Sequence, residues 1–455
     1  MEKKLDKRVI ALYGLPPFGF QLLINFELYY FTAFLTDYAE IPLVIIGTIL
    51  MVTNIVDIIG VPLSGVVLEK TNMKWGKYRS WLLIGPPIAV FFFVLQFTKI
   101  GSTFVTVGII TVGFIVSHLI NNVYYGAHIS MNSALTTVNE ERISMSSNRG
   151  LCNALGGLLF SLTSMPLILF LGRSNAVGGY TYAVTIGGLI MIACYLIFFV
   201  VTKDYAHHGT SQQNNQPTEK MGGMEMVKQI VKNTPLLGLL LGEVGRFLGR
   251  FIIFGLAFYY FKYVVNNLEV VTIFFTGLTI VCILGAIVAK PLANKIGPRN
   301  TYILSLSIFI VALLIIWIFP MNYISFMVLM FAAYFGYAIP DAINVVMYSA
   351  TVEYGEWKTG KNARGLIMSL LNFPVKIAIL LRSIIITAIL AGAGYIANMQ
   401  PTEALISGIK NGMTLIPALF MIASLLCITF LYKITPSSLE KMQKEIAEKK
   451  QDSGV

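Results

Sequence analysis

Residues 65–79 read GVVLEKTNMKWGKYR, and residues 285–299 read GAIVAKPLANKIGPR. In each, an apolar stretch ends in small residues and gives way to a basic turn that holds a glycine, Gly76 or Gly297, and closes on an arginine, Arg79 or Arg299. One such turn is a loose pattern. Two of them, after the second apolar stretch of each half of the chain, point to a six-span unit present twice.

Outward from these turns, the 455 residues are 56% hydrophobic and 12% charged, with mean hydropathy +0.74. A soluble domain carries about 25% charged residues, so a soluble protein with a large core is excluded. Apolar stretches of about 18 to 30 residues recur, each long enough to cross a hydrocarbon layer of about 30 Å as a helix. Lipid offers no partner to free backbone groups, so these stretches are helices rather than open strands. Twelve are counted, near 9–36, 42–68, 80–99, 103–131, 149–171, 178–202, 234–264, 268–291, 300–319, 322–351, 363–396 and 410–433. The fold class is an all-α membrane protein with about twelve transmembrane helices in two six-helix bundles. Residues 1–202 form the N-terminal bundle, 203–232 a polar cytoplasmic linker running through His207, His208 and Gln212, 233–433 the C-terminal bundle and 434–455 a cytoplasmic tail.

Lysine and arginine in short loops set orientation. Lys3, Lys4, Lys7 and Arg8 precede the first span; Lys70, Lys74, Lys77 and Arg79 follow the second; Arg142 follows the fourth. Lys290, Lys295 and Arg299 follow the eighth, Lys358, Lys361 and Arg364 the tenth, and Lys441 and Lys444 lie in the tail. With twelve spans every basic loop falls on one side, both termini are cytoplasmic, and the +11 charge needs no nucleic-acid partner. The chain reads as a multi-pass protein of the cell membrane. Its first segment is longer than a signal-peptide core and has no small-residue cleavage site, so it reads as retained. Cys152, Cys194 and Cys282 lie in apolar runs, and the four cysteines have neither metal nor disulfide spacing.

Ionisable groups within the spans carry the functional reading, since each costs at least ~2.5–3.5 kcal/mol at a helix centre. Asp57, in NIVDIIGVP (54–62), can bind a proton or small cation, or pair with a base on a facing helix. Lys376 lies inside the eleventh span, Arg382 six residues on, and Arg149 opens the fifth. Arg246 and Arg250, four apart on one face of the seventh span, form an anion cradle or, equally, an interdomain salt-bridge network with Glu243 and Asp341. Gln21, Tyr124, Tyr125, His128, Asn344 and Asn372 add polar groups to a solute site. Glu69, Arg79, Glu141, Arg142, Glu356 and Arg364, in the cytoplasmic loops, read as gate salt bridges. An enzyme would need a nucleophile–base pair or a metal cluster, and four scattered histidines supply neither. Open alternatives are a carrier of a non-sugar amphiphile, an efflux transporter, and an uncoupled facilitator or sensor.

Four stretches resemble the glycoside–pentoside–hexuronide:cation symporters, the melibiose-permease-like branch of the major facilitator superfamily. They are Tyr13-Gly14 with FLTD (34–37); Asp57, Pro62 and Gly65 with WGKYRSW (75–81); NEER (139–142) with Ser146 and Arg149; and EYGEWKTGK (353–361) with Lys376, Gly394 and Tyr395. The resemblance implies the major facilitator fold, cation-coupled transport of a sugar-like solute, no cofactor beyond a coupling H+ or Na+, and a monomer. It also implies a cation site at Asp57, with Lys376 as neighbour, and a sugar pocket near Arg149. Two departures matter. The family's second helix-two Asp is Val61 here, which leaves few hard oxygens for sodium and favours a proton. Its helix-one sugar-binding Asp falls at Gln21, and its helix-four Asp falls near Tyr124 or Tyr125. With those carboxylates gone and the cations kept, the expected solute is an anionic or modified sugar.

Overall fold

The computed structural model describes residues 5–71, 73–136, 138–205, 231–360, 367–368 and 370–452, without the side chains of Glu69, Ser133, Asn139 and residues 449–452. Every regular element among them is helical: α1 (Lys7–Leu12), α2 (Leu15–Ala33), α3 (Leu43–Lys70), α4 (Arg79–Leu95), α5 (Thr103–Leu135), α6 (Asn139–Leu171), α7 (Ala176–Val201), α8 (Thr234–Tyr259), α9 (Val270–Ile296), α10 (Pro298–Ile318), α11 (Tyr323–Thr359), α12 (Phe373–Gly392), α13 (Glu403–Met413), α14 (Leu415–Phe430) and α15 (Pro436–Asp452). Among the described residues, ten helical segments are long and apolar enough to cross a membrane. Helix α4, at 17 residues, and α8, which carries Glu243, Arg246 and Arg250, complete the expected twelve spans. Large apolar side chains point outward along them, among them Val44, Phe91, Phe104 and Val328. That arrangement suits lipid and would be an aggregation hazard in water.

Local sequence explains where the helices begin and stop. Asn175, Asn322 and Thr402 each accept a hydrogen bond from the backbone N–H three residues on, which satisfies a donor the first helical turn leaves free. Gly360, at φ 74°, ends α11 in the left-handed conformation that glycine adopts without strain. Helix α11 therefore runs through EYGEWKT, so most of a stretch placed just beyond the tenth span forms its last turns. Arg149 does not open a span. Helix α6 starts at Asn139, with Glu140 and Glu141 in the first turn where the helix dipole favours acids, and Arg149 lies well inside it.

The described chain packs as two compact units. One comprises Met1–Asn214, Ala257–Thr279 and Leu390–Pro401; the other comprises Asn215–Leu256, Ile280–Ile389 and Thr402–Val455. Residues 206–230 of the expected linker, and residues 361–366 at the start of the expected eleventh span, lie outside the described residues. In the first unit α2 packs on α6 and α7, and α5 packs on α3 and α4. Close approach depends on glycine here: a Cβ at Gly19 would come within 2.7 Å of Met191 Cα on α7, and one at Gly156 of α6 equally near Phe18 O. In the second unit α10 packs on α11 and α14, and the tail helix α15 lies against α11.

The sequence repeat is also a structural repeat. Arg79 Nε and Nη2 donate to Phe199 O at 3.0 and 2.7 Å, at the end of α7. Arg299 Nε donates to Tyr432 O at 2.6 Å, and its Nη2 to Thr429 O at 2.7 Å, at the end of α14. Each arginine thus ties the basic turn of its half to the free carbonyls of that half's last span, where a cation is also favoured by the helix dipole. A second correspondence lies at the other end of the bundles. Helices α2 and α8 both continue into a π-helical turn, Phe34–Tyr38 and Tyr260–Val264, and both are followed by a residue at φ 57°, Glu40 and Asn266.

Arg79 was expected as a gate residue. Its guanidinium is instead held by a carbonyl of its own unit and stacks on the Phe199 ring at 3.8 Å, so in this conformation it is a helix staple. Arg79→Ala and Arg299→Ala should each lower unfolding stability in detergent by about 1.5–3 kcal/mol, the worth of hydrogen bonds to a charged group. Thermal unfolding followed by tryptophan fluorescence measures it.

Candidate functional site

Helix α5 is the polar spine of the first unit, and it presents His118, Asn121, Asn122, Tyr124, Tyr125 and His128 to its neighbours. Asn122 Nδ2 donates to Asp57 Oδ1 of α3 at 2.8 Å, and Asp57 is buried at 7% exposure. One turn away on the same face, His118 Nε2 lies 3.1 Å from Glu27 Oε2 of α2. Gln21 Nε2 donates to Asn25 Oδ1 at 3.1 Å within α2, and the half-buried Tyr125 ring packs on Phe20 at 4.9 Å.

Tyr124 and His128, both expected to meet solute, are fully buried, and the Tyr124 hydroxyl and His128 Nε2 are taken by neighbours. Tyr124 Oη donates to Asn121 Oδ1 at 2.6 Å. His128 Nε2 donates to Tyr13 O while Tyr13 Oη donates to His128 O, both at 3.0 Å, with the two rings stacked. In this conformation they hold helices together rather than line an open surface. Gln21, Asn122, Tyr125 and Arg149 are half-buried, and Arg149 lies within electrostatic reach of Tyr13 and His128.

In the second unit the hub is Glu243, fully buried on α8. It accepts from Arg246 Nε at 3.1 Å and Nη2 at 2.7 Å, from Asn344 Nδ2 at 3.1 Å, and from the Tyr302 hydroxyl. Arg246 Nη2 also donates to Asp341 Oδ1 at 2.6 Å. Arg246 has no exposed surface and is sandwiched near the Phe247 and Tyr337 rings. The anion cradle expected of Arg246 is therefore filled by the protein's own carboxylates. The network expected in its place is present, but its members all belong to one unit rather than bridging two. Arg250, one turn on, lies over Phe254 and Tyr337 at 4.9 and 5.1 Å. Lys376 and Arg382 follow on α12; Lys376 is half-buried, Arg382 is buried beside the Phe251 ring, and Asn372 is exposed in the turn before that helix.

A further centre collects at the end of α2. Asp37 accepts from Lys262, from Tyr263 Oη at 2.9 Å and from the Tyr395 hydroxyl, while Asn398 Nδ2 donates to Asp37 O at 2.9 Å. Thr36 Oγ1 meets Tyr259 Oη at 2.7 Å beside it. FLTD and Tyr395, quoted above as separate motifs, are thus two sides of one carboxylate site. Sequence reading missed this centre, and it missed Glu27 too. Glu27 stands inside an apolar span by the same criterion that singled out Asp57, so its signal was there to be read.

Of the remaining gate candidates, Glu141 accepts from Leu5 N at 3.1 Å and from Thr136 Oγ1 at 2.5 Å, and Arg142 Nε donates to Thr136 O at 2.8 Å. These contacts lie within the first unit. Glu356 is half-buried near the end of α11, where Trp357 Nε1 donates to Glu445 Oε2 of the tail at 2.5 Å. The Glu69 side chain and all of Arg364 lie outside the described residues.

Removing one partner of a buried ion pair strands the other, at about 3–5 kcal/mol. Arg246→Met should therefore sharply reduce the yield of folded protein on size-exclusion chromatography. Glu243→Gln, which keeps the shape and part of the hydrogen bonding, should cost less.

A family model described as MFS/sugar transport protein matches residues 12–436. The chain is 28% identical to an isoprimeverose transporter of Lactiplantibacillus pentosus, over 96% of this chain and 91% of that one. It is 26% identical to a glucuronide carrier protein homolog of Escherichia coli (strain K12), over 99% and 97%. With a putative sulfoquinovose importer of Salmonella typhimurium it shares 27% identity, over 98% and 94%. Among solved structures, a D-xylose–proton symporter superposes with TM-score 0.62 at 14% identity, covering 94% of this chain and 97% of that one. At that identity the likeness is one of fold.

Proposed function

The chain belongs to the MFS/sugar transport family, the glycoside–pentoside–hexuronide symporters, and from that premise we propose that it carries an anionic sugar across the cell membrane together with a cation, a proton in preference to sodium. It is a multi-pass membrane transporter of sugar-like solutes and not an enzyme.

The anionic preference rests on one observation. Along the spanning parts of α8, α11 and α12, Arg246, Arg250, Lys376 and Arg382 outnumber Glu243 and Asp341. Arg246 is paired with both of these carboxylates, and the cations exceed the acids by two. Charge is costly at this depth, and an excess of one sign is tolerated best where an opposite charge is to be bound. In the first unit Gln21 and Tyr124 bring no carboxylate to oppose an anion, and Arg149 adds a further cation. Two of the three relatives are named for anionic sugars, a glucuronide and sulfoquinovose.

The coupling site we assign is Asp57. The Asn122 amide donates to it, and Val61, one turn on, brings no oxygen. A sodium ion prefers several hard oxygens, whereas a proton needs one carboxylate. Lys376 belongs to the solute site in this reading, and transport follows the alternating-access cycle general to repeats of this kind.

In proteoliposomes, labelled glucuronide should be taken up faster than isoprimeverose; the reverse order overturns the anionic reading. Lys376→Gln and Arg149→Gln should each weaken apparent glucuronide affinity about tenfold to a hundredfold, the worth of a charge-assisted hydrogen bond. Asp57→Asn should abolish accumulation driven by a pH gradient while counterflow of labelled solute continues.

A further inference from the structure

Glu27 and His118 have no part in the reading above, and their geometry gives them one. Both lie within spanning helices and are nearly buried, at 9% and 8% exposure. His118 Nδ1 is 3.0 Å from Phe114 O, one turn back on α5. A carbonyl can only accept, so Nδ1 carries a hydrogen. Ser117 Oγ, 3.4 Å from Nδ1, is itself engaged with Phe114 O and with the Gln96 amide. The ring stacks on Phe114 at 3.9 Å with only 3° between planes, which fixes its direction.

With its hydrogen on Nδ1, a neutral imidazole turns the Nε2 lone pair toward Glu27 Oε2, 3.1 Å away. Oε2 is buried and has no other hydrogen-bond partner, and its approach to Nε2 is not aligned as an ideal hydrogen bond. A carboxylate oxygen and a nitrogen lone pair at that distance, out of water, repel. The contact is favourable only when one additional proton lies on one of the two atoms, as carboxylic acid with imidazole or as carboxylate with imidazolium.

We propose that Glu27 and His118 form a proton-binding site separate from Asp57, which takes up one proton when α2 and α5 bring the two side chains together and releases it when they part. The proton exchanges with water, and only an O–H or N–H bond is made or broken. The other titratable groups on the helices packed against α2 and α5 are occupied elsewhere or lie toward the opposite end. Asp57 on α3 is bonded to Asn122, Arg79 on α4 to Phe199 O, and Glu141 and Arg142 on α6 to Leu5 and Thr136. Arg149 on α6 lies near Tyr13 and His128. Tyr30 shares a hydrogen bond with Ser164, and Tyr124 donates to Asn121. Tyr180, Tyr195 and Cys194 on α7 are buried phenol and thiol groups.

The site can be tested without any solute. At alkaline pH the separated Glu and His side chains of an unfolded chain hold no proton, whereas the proposed folded pair holds one. The folded state then binds more protons than the unfolded state, so stability must fall as pH rises through release of that proton. Thermal unfolding of the full chain in nanodiscs from pH 6 to 9 should show this decline in the wild type. Glu27→Gln, whose amide donates to Nε2 at every pH, and His118→Gln, whose amide donates to the carboxylate, should each flatten it. If one variant does not fold, the other decides, and a decline as steep as the wild type's overturns the site.

Its part in transport rests on the coupling reading above and has its own readout. The proton-to-glucuronide ratio, from reversal of flux in proteoliposomes, should fall by one in Glu27→Gln. An unchanged ratio overturns the coupling role even where the stability profile is flattened. A wild-type ratio of zero overturns both the coupling reading and this role, and the stability profile still decides whether the proton site exists.

Discussion

A charge inside a hydrocarbon layer must find an opposite charge, a dense set of hydrogen bonds or a proton, and the interior of this protein is arranged around that demand. Glu243 shows it most fully. Arg246, Tyr302 and Asn344 converge on it from α8, α10 and α11, so three helices are held by one carboxylate. Asp37 does the same at the end of α2 with Lys262, Tyr263 and Tyr395. Desolvating an ion costs several kcal/mol, and geometry of this completeness offsets it. Such clusters can change partners but cannot simply come apart, a property suited to a protein that must exist in more than one conformation.

The features legible in the sequence were those that repeat or that depend on near neighbours. Apolar length gave the spans, and the paired turns pointed to Arg79 and Arg299, each of which holds backbone carbonyls at the end of a later helix. What escaped was set by distant partners. Nothing local in GRFLGR (245–250) says that Arg246 is consumed by carboxylates while Arg250 lies over rings. Likewise, nothing near Tyr124 or His128 says that an asparagine one turn back takes the Tyr124 hydroxyl and the backbone of Tyr13 takes His128 Nε2. Glu27 is a different case, an ionisable group in an apolar run that residue type and depth alone could have flagged.

Helix α5 connects these observations. His118 and Asn122, one turn apart, receive carboxylates from two different helices, Glu27 from α2 and Asp57 from α3. A shift of α5 along its axis alters both contacts at once. Two acid groups read by one helix give a physical route by which the protonation of one could affect the other, with no direct contact between them.

The Asp37 cluster also constrains how the protein is made. The carboxylate emerges with the first span, but Tyr395 lies 358 residues further along the chain. At ribosomal rates of about 5–20 residues per second, roughly 20–70 s separate their synthesis. Throughout that interval the end of α2 carries an acid whose set of partners is incomplete, Lys262 and Tyr263 arriving before Tyr395, so the first helix can be inserted early but locked only late. A chain halted before its eleventh span would leave that acid without the Tyr395 hydroxyl and the Asn398 amide, a chemical mark by which an unfinished transporter differs from a finished one.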